Sequence, residues 1–285
     1  MSNNHLVVVK DNRIIEASYT LTLSEQRVLL ACISQIDSMN PLQPDNKFQV
    51  LASDLVELMG LSRSNAYRDM KIAVDKLYNR SIKMDGEDGE MRWLYRKEYV
   101  KDEGKLILYF SPEIIPYLSQ LSEKFTAYKL KYVAQFKSNY SIRLYEILVQ
   151  WSSTGEREVK IDWLRDIFQL EGKYKDIKDF KKYIIDPAIA DINEHSNIWA
   201  SYSQRKSGRT VTHFQFKFGL KNPPKANKKL TEEEINRQAR PGESRAAVIA
   251  RLTGSPLSGI AKPGETVAQV LERKKNLADI KERLR

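Results

Sequence analysis

The side chains best suited to covalent or metal chemistry are few in this chain. His5, His195 and His213 are its three histidines and Cys32 its one cysteine. No two histidines stand at close ligand spacing, so they cannot build a zinc site of the usual kind. Tyrosine oxygens are plentiful, but a DNA-nicking enzyme would pair one with a histidine-flanked metal, and the chain contains no His-x-His. It also lacks the Gly-rich loop ending in Gly-Lys-Ser/Thr that an ATP-driven motor needs. The sequence therefore implies no metal and no cofactor, and it gives no positive reason for an enzyme. What it concentrates is cationic charge. Residues 173–182 read KYKDIKDFKK, with lysines at Lys173, Lys175, Lys178, Lys181 and Lys182. Such a run can neutralise phosphates; it can equally be a solvated face balanced by Asp176 and Asp179.

The element that carries these lysines decides between the two. Helical spacing over 173–195 puts Ile177, Phe180, Ile184, Ala188 and Ile192 on one face, with Ile185 and Ile189 beside them. Lys175, Lys178 and Lys182 fall on the opposite face, with Lys181 alongside. The cations thus gather at the helix start and on its outer side, where a recognition helix meets the major groove. Pro187 predicts a kink, or a second helical start capped by Asp186.

This helix is the third in a winged-helix order that occurs twice. In the first copy Thr22-Leu23-Ser24-Glu25 has capping-box spacing ahead of a helix over 23–37. A short helix over 53–59, a turn at 61–64 and a helix over 65–78 follow. Strands at 91–100 and 105–110 then flank the turn 101–104. In the second copy helices over 141–151, 161–170 and 175–194 precede a strand over 210–218. Leu55, Leu58, Met59 and Leu61 match Leu164, Ile167, Phe168 and Leu170 at a constant offset of 109. Ala73, Val74 and Leu77 match Ala188, Ile189 and Ile192 at an offset of 115. The expected fold is α+β: two tandem winged-helix domains related by an internal pseudo-repeat, 1–123 and 124–220, with a flexible basic C-terminal tail over 221–285. The segment 112–131 has a helix-compatible pattern and predicts a fairly stiff connector.

Charge follows the same division. Residues 1–123 carry 15 basic and 18 acidic side chains, residues 124–220 carry 17 and 11, and residues 221–285 carry 15 and 8. The second domain and the tail are the basic parts of a chain with formal charge +10. The start of the chain has no cleavage pattern, and no segment approaches the roughly 18 apolar residues of a membrane span. A soluble cytoplasmic protein without a membrane partner is expected, with Cys32 packed in a core. The tail holds two units starting at Ala239 and Ala261, offset by 22, either a docking motif or a solvated stretch with nascent helices.

Other cations surround the lysine helix. The turn Arg205-Lys206-Ser207-Gly208-Arg209 is either a wing lying along phosphates or a loop made soluble by its charge. Lys137, Ser138 and Arg143 could add phosphate contacts at the start of the 141–151 helix. In the first domain Arg63, Ser64, Asn65, Arg68 and Lys71 could touch DNA, although Asp85, Glu87, Asp88 and Glu90 nearby would repel phosphate. Its strands are apolar on both faces. Trp93, Tyr95, Tyr99, Leu106, Leu108 and Phe110 form the candidate protein interface, with burial against the connector or second domain as the competing expectation.

LTLSEQRVLLACISQID, SIRLYEILVQW, DFKKYIIDPAIADINEHS and RKSGRTVTHFQFKF, in this order over residues 5–220, resemble iteron-binding plasmid replication initiators, the tandem winged-helix Rep proteins. The resemblance implies double-stranded DNA as partner: the second domain reads a direct repeat (iteron) of the origin in the major groove, and the first contacts the backbone. It places the reading helix at 173–182 and the wing at 205–209. It further implies a monomer that opens the origin, in equilibrium with a homodimer formed through the first domain's sheet. That dimer represses its own gene at an operator inverted repeat and so contributes to plasmid copy control. The host replication initiator and helicase, and host chaperones, are the further implied partners in a bacterial cytoplasm. The family's arginines on the reading helix are largely lysines here, which act as point charges, so Tyr174 and the wing arginines are expected to carry sequence reading. A winged-helix regulator without origin function is the alternative, and a tyrosine nickase the alternative of another class.

Overall fold

The computed structural model describes residues 6–222, apart from 60–64 and 87. Arg63, Ser64, Glu87, the apolar matches at Leu61 and in the side chains of Leu58 and Met59, and all but the first two residues of the tail with its 22-residue repeat lie outside the described residues.

Strand β1 (Val7–Asp11) leads through the short helix α1 (Asn12–Glu16) to α2 (Leu23–Ile33). The expected capping box forms there: Thr22 N–H donates to Glu25 Oε2 at 2.6 Å and Glu25 N–H to Thr22 Oγ1 at 3.3 Å, satisfying two amides the first turn leaves open. Strand β2 (Phe48–Leu51), α3 (Ala52–Met59), α4 (Ala66–Leu77) and the short pair β3 (Ser81–Ile82) and β4 (Met91–Arg92) follow. The hairpin β5 (Leu94–Val100) and β6 (Lys105–Phe110) completes a sheet of order β2-β6-β5. The second half repeats this plan with α5 (Asn139–Val149), β8 (Glu156–Lys160) and α6 (Ile161–Ile167), then the long helix over 177–195, β9 (Ile198–Ser207) and β10 (Thr210–Leu220). Its sheet order, β8-β10-β9, is the same arrangement. Leu55 and Leu164, Ala73 and Ala188, and Leu77 and Ile192 are buried in equivalent places. The pseudo-repeat in the sequence is thus a repeat of winged-helix topology. Cys32 lies in the core, where burial raises its thiol pKa, and no described helix is long and apolar enough to cross a membrane.

Two expectations fail here. The connector is not helical: a 3-10 turn at Ile115–Tyr117 gives way to strand β7 (Phe125–Lys129), antiparallel to β1. Pro116 and left-handed backbone at Gln120 and Lys124 interrupt any helix. Thr126 and Tyr128 then alternate into the core with period two, the signature of a strand. Nor can the proposed interface on the hairpin stand as a set. Trp93, Leu106, Leu108 and Phe110 are at most 1% exposed and face the core; only Tyr95 and Tyr99 are solvent-facing. An irregularity between Leu94 and Arg96 shifts the register within β5, so counting by twos through Trp93, Tyr95 and Tyr99 crosses from one face to the other. Tyr99 and Lys97 both reach Asp75 on α4, and these contacts hold the Asp75 carboxyl below its usual range, the Lys97 bond contributing most.

Buried charge joins the elements around α5. Lys10 of β1 lies 2.5 Å from Glu146 of α5, with exposures of 1% and 0%, and the Tyr128 hydroxyl of β7 donates to the same Oε1. Nearby, Glu16 pairs with Arg157 at 2.7 Å and Ser18 Oγ donates to the Asp166 carbonyl. These bonds connect the N-terminal segment to the second winged unit.

Candidate nucleic-acid interface

The lysine segment is built in two parts. Residues 171–176 form a loop, because Gly172 and Tyr174 adopt left-handed backbone at φ 72° and 49°, and the helix begins at Ile177. Lys173, Tyr174 and Lys175 therefore precede the helix on which they were expected. Arg165 of α6 ties this loop down, donating to the carbonyls of Tyr174 at 3.0 Å and Lys175 at 2.7 Å. The helix then runs as α7 (Ile177–Phe180), a π turn over Lys181–Ile185, and α8 (Asp186–His195). Among its buried positions Phe180, Ile184, Ala188 and Ile192 recur every four residues, with Ile185 and Asp191 beside them. A straight α-helix would over-rotate by about 40° at each such step, and the wider π turn takes up part of that drift. It also lies where Pro187 can offer no N–H to the Tyr183 carbonyl. The expected kink or restart is replaced by a local widening.

The outer side is cationic. Lys178 and Lys182 are exposed, with Lys173 and Lys175 on the loop and Lys181 partly covered. None of the five forms an ion pair among the described residues, although Asp176 and Asp179 stand between them. A solvated face would be expected to compensate these charges locally; this one leaves them available.

The wing stands beside the helix. β9 and β10 meet at Gly208, whose φ of 61° suits glycine at the tip. Asn193 clasps Ala200 in both directions, Nδ2 to the carbonyl at 2.8 Å and Oδ1 from the amide at 2.7 Å. The Tyr202 hydroxyl donates to Asp186 at 2.5 Å; burial and that carboxylate raise its pKa. Lys206 and Arg209 are exposed and carry no ion pair among the described residues. Arg205 differs, because it is bound to Glu158 through Nε at 3.0 Å and Nη2 at 2.8 Å. That pair, with Gln215 second, holds the Glu158 carboxyl below its usual range.

The helix N-terminus at the start of α5 is not open to phosphate, although the Lys137 ammonium is exposed, 3.4 Å from Glu194. Asp191 already occupies it, accepting from Lys137 N at 2.8 Å and Ser141 Oγ at 2.6 Å, while Ser138 Oγ caps Tyr140 N–H. A carboxylate at the helix N-terminus satisfies its donors and repels a second anion. Arg143 is 2% exposed. Its Nη2 donates to the carbonyls of Ala17 at 2.7 Å and Ile167 at 3.3 Å, and its guanidinium lies 3.8 Å from the centre of the Tyr19 ring. It is an internal brace and cannot reach DNA. Arg143→Ala should therefore reduce stability by about 2–3 kcal/mol, as for lost hydrogen bonds to a charged group, without changing the salt dependence of DNA binding. Thermal unfolding and fluorescence anisotropy at several salt concentrations check both; a shallower salt slope at unchanged stability would refute the assignment.

In the first unit Asn65 is exposed and makes no side-chain cap bond. Arg68 pairs with its neighbour Asp69 at 3.3 Å, and the Lys71 ammonium lies 4.9 Å from the centre of the Tyr99 ring. These three share one exposed side of α4 with far less free charge than the second unit. Two contributors were not foreseen from sequence. Arg165 fixes the loop through backbone carbonyls, which leave no mark in side-chain types. Tyr183, inside KKYIID, is half exposed at 51%; its signal is an aromatic directly following the outward Lys182.

A tandem winged-helix protein with an uncompensated cationic helix and wing tip in its second half belongs to a class suited to duplex DNA. Residues 7–149 match the model of "Initiator Replication protein, WH1" and residues 160–218 that of "Initiator Rep protein, WH2". The chain belongs to this family of replication initiators, which are DNA-binding proteins and not enzymes. It is 28% identical over 206 residues to a "Replication initiation protein" of Escherichia coli, covering 68% of this chain and 64% of that protein. It is 27% identical over 239 residues to the "PI protein" of Escherichia coli, covering 70% and 77%. Among solved structures, that of the Pi initiator protein in complex with iteron DNA matches with a TM-score of 0.67 at 25% identity, over 76% of this chain and 98% of that one.

Proposed function

We propose that this protein initiates plasmid replication by binding direct repeats of double-stranded DNA at an origin through the 177–195 helix and the wing of its second unit. The observation that carries the proposal is the outer side of that helix, where lysines stand without carboxylate partners beside a wing tip bearing Lys206 and Arg209. The likeness to an initiator bound to iteron DNA supports it. In the major groove the lysines neutralise phosphates on either side, and the wing follows the adjacent backbone. The first unit adds weaker contacts through Asn65, Arg68 and Lys71. Lacking a motor, the protein opens the duplex with binding energy and leaves unwinding to the host initiator and helicase. Self-association through the first unit, with repression of its own gene at an inverted repeat, would use surface around Tyr95 and Tyr99, since the rest of the expected interface is core.

Footprinting on the DNA flanking the gene tests this reading. Several protected direct repeats support an initiator, an isolated palindrome would indicate a regulator, and absence of protection would end the DNA proposal. Arg209→Ala should reduce discrimination between the repeat and random DNA by about 1–3 kcal/mol if it forks onto a guanine. Equal weakening on both DNAs in competition titrations would make it a backbone contact.

A further inference from the structure

Between Lys173 and Ala190 the chain contains no arginine, asparagine or glutamine. The arginine fork for guanine and the amides that read adenine by paired hydrogen bonds are therefore absent from this stretch of the helix, which leaves its lysines as the cations that can reach guanine. Asn193, the next amide along, is held by Ala200, and Asp186 by Tyr202. A lysine is a flexible point charge without arginine's rigid planar fork. A base feature that a fixed apolar side chain of this face can recognise is the C5-methyl group of thymine, which takes apolar contact.

Tyr183 suits that contact. At 51% it is the most exposed large apolar side chain among the described residues, and Pro187 and Ala190, exposed on the following turns, are small enough to let a groove approach. The ring is supported from below by Tyr174, centroid to centroid 5.7 Å with an interplanar angle of 37°. Tyr174 is set in place by its left-handed backbone and by the Arg165 bonds to the loop. A non-glycine residue in that conformation costs of the order of 1 kcal/mol or more, a cost the loop sustains only because other contacts over-determine it. The Lys182 ammonium lies 4.8 Å from the Tyr183 ring centre, so cation and apolar surface are presented together.

We infer that Tyr183, seated on Tyr174, reads thymine through its C5-methyl group in the major groove and is a specificity-determining residue of this helix. This rests on the DNA-binding reading above. The probe is the duplex that the full-length protein selects from a random-sequence pool, with each thymine replaced in turn by uracil, which removes only the methyl. Wild-type protein should lose about fourfold in affinity at one or two thymines, the worth of one methyl withdrawn from water. Tyr183→Ala should bind the parent duplex more weakly and be indifferent to those replacements, whereas Tyr183→Phe should behave as wild type. Thermal unfolding of all three should coincide, because the side chain is half in water. If Tyr183→Ala keeps the uracil penalties, or if no thymine shows one, the inference fails while DNA binding stands. If Tyr183→Phe weakens binding as much as Tyr183→Ala does, the hydroxyl and not the ring makes the contact, and the inference again fails. Selection of no sequence at all would overturn the DNA-binding reading itself.

Discussion

Replacing Lys178 and Lys182 together by alanine should weaken binding to the cognate repeat roughly 100-fold at low salt, taking about 1.5 kcal/mol for each lost charged hydrogen bond. It should also reduce the salt slope by about 2, since each neutralised phosphate contributes about 0.9. Both lysines are exposed and unpaired among the described residues, so their removal leaves no buried charge behind and should not alter folding. The Lys178→Arg, Lys182→Arg variant should keep the slope, because charge alone sets it. Anisotropy titrations from about 50 to 200 mM salt, the range over which such contacts separate clearly, give the answer. A double alanine variant with the wild-type slope would remove this face from the DNA interface.

The second large effect concerns stability. Glu146→Ala should destabilise the protein by about 3–5 kcal/mol, because it strands the Lys10 ammonium, 1% exposed, in the core without its counter-ion. It also orphans the Tyr128 hydroxyl, whose pKa is pushed well up, first by burial and then by the Glu146 charge. At about 2–4 °C per kcal/mol for a chain of this size, the unfolding midpoint should fall by roughly 6–20 °C. Lys10→Met together with Glu146→Leu should recover most of the loss, since both charges are then removed and apolar volume is kept. Calorimetry on the Glu146→Ala variant and the double distinguishes the cases. A Glu146→Ala protein that melts with wild type would mean the pair contributes nothing.

The local features were the ones legible in the chain. The Thr22-to-Glu25 capping box, the apolar positions from Phe180 to Ile192 and the doubled winged order all depend on neighbours a few residues apart, and the structure contains them. The failures have long-range causes. Arg143 resembles a phosphate ligand until Ala17, 126 residues away, takes its hydrogen bond. The start of α5 resembles an anion site until Asp191 arrives from α8. On the hairpin both faces are apolar, so alternation could not say which was inside, and the irregularity at Leu94 to Arg96 moved the count. The π turn was invisible for another reason: Pro187 announced a disturbance, but a kink, a restart and a widened turn are equally compatible with its missing N–H.

The Asn193 clasp on Ala200 and the Tyr202 bond to Asp186 have a mechanical consequence. Three hydrogen bonds fasten the base of the wing to the helix, so helix and tip behave as the fixed jaws of a caliper. In a complex of the proposed kind the distance between groove contact and flanking backbone contact is then set by the protein. A duplex that does not fit that gauge must itself yield, through its own width and twist.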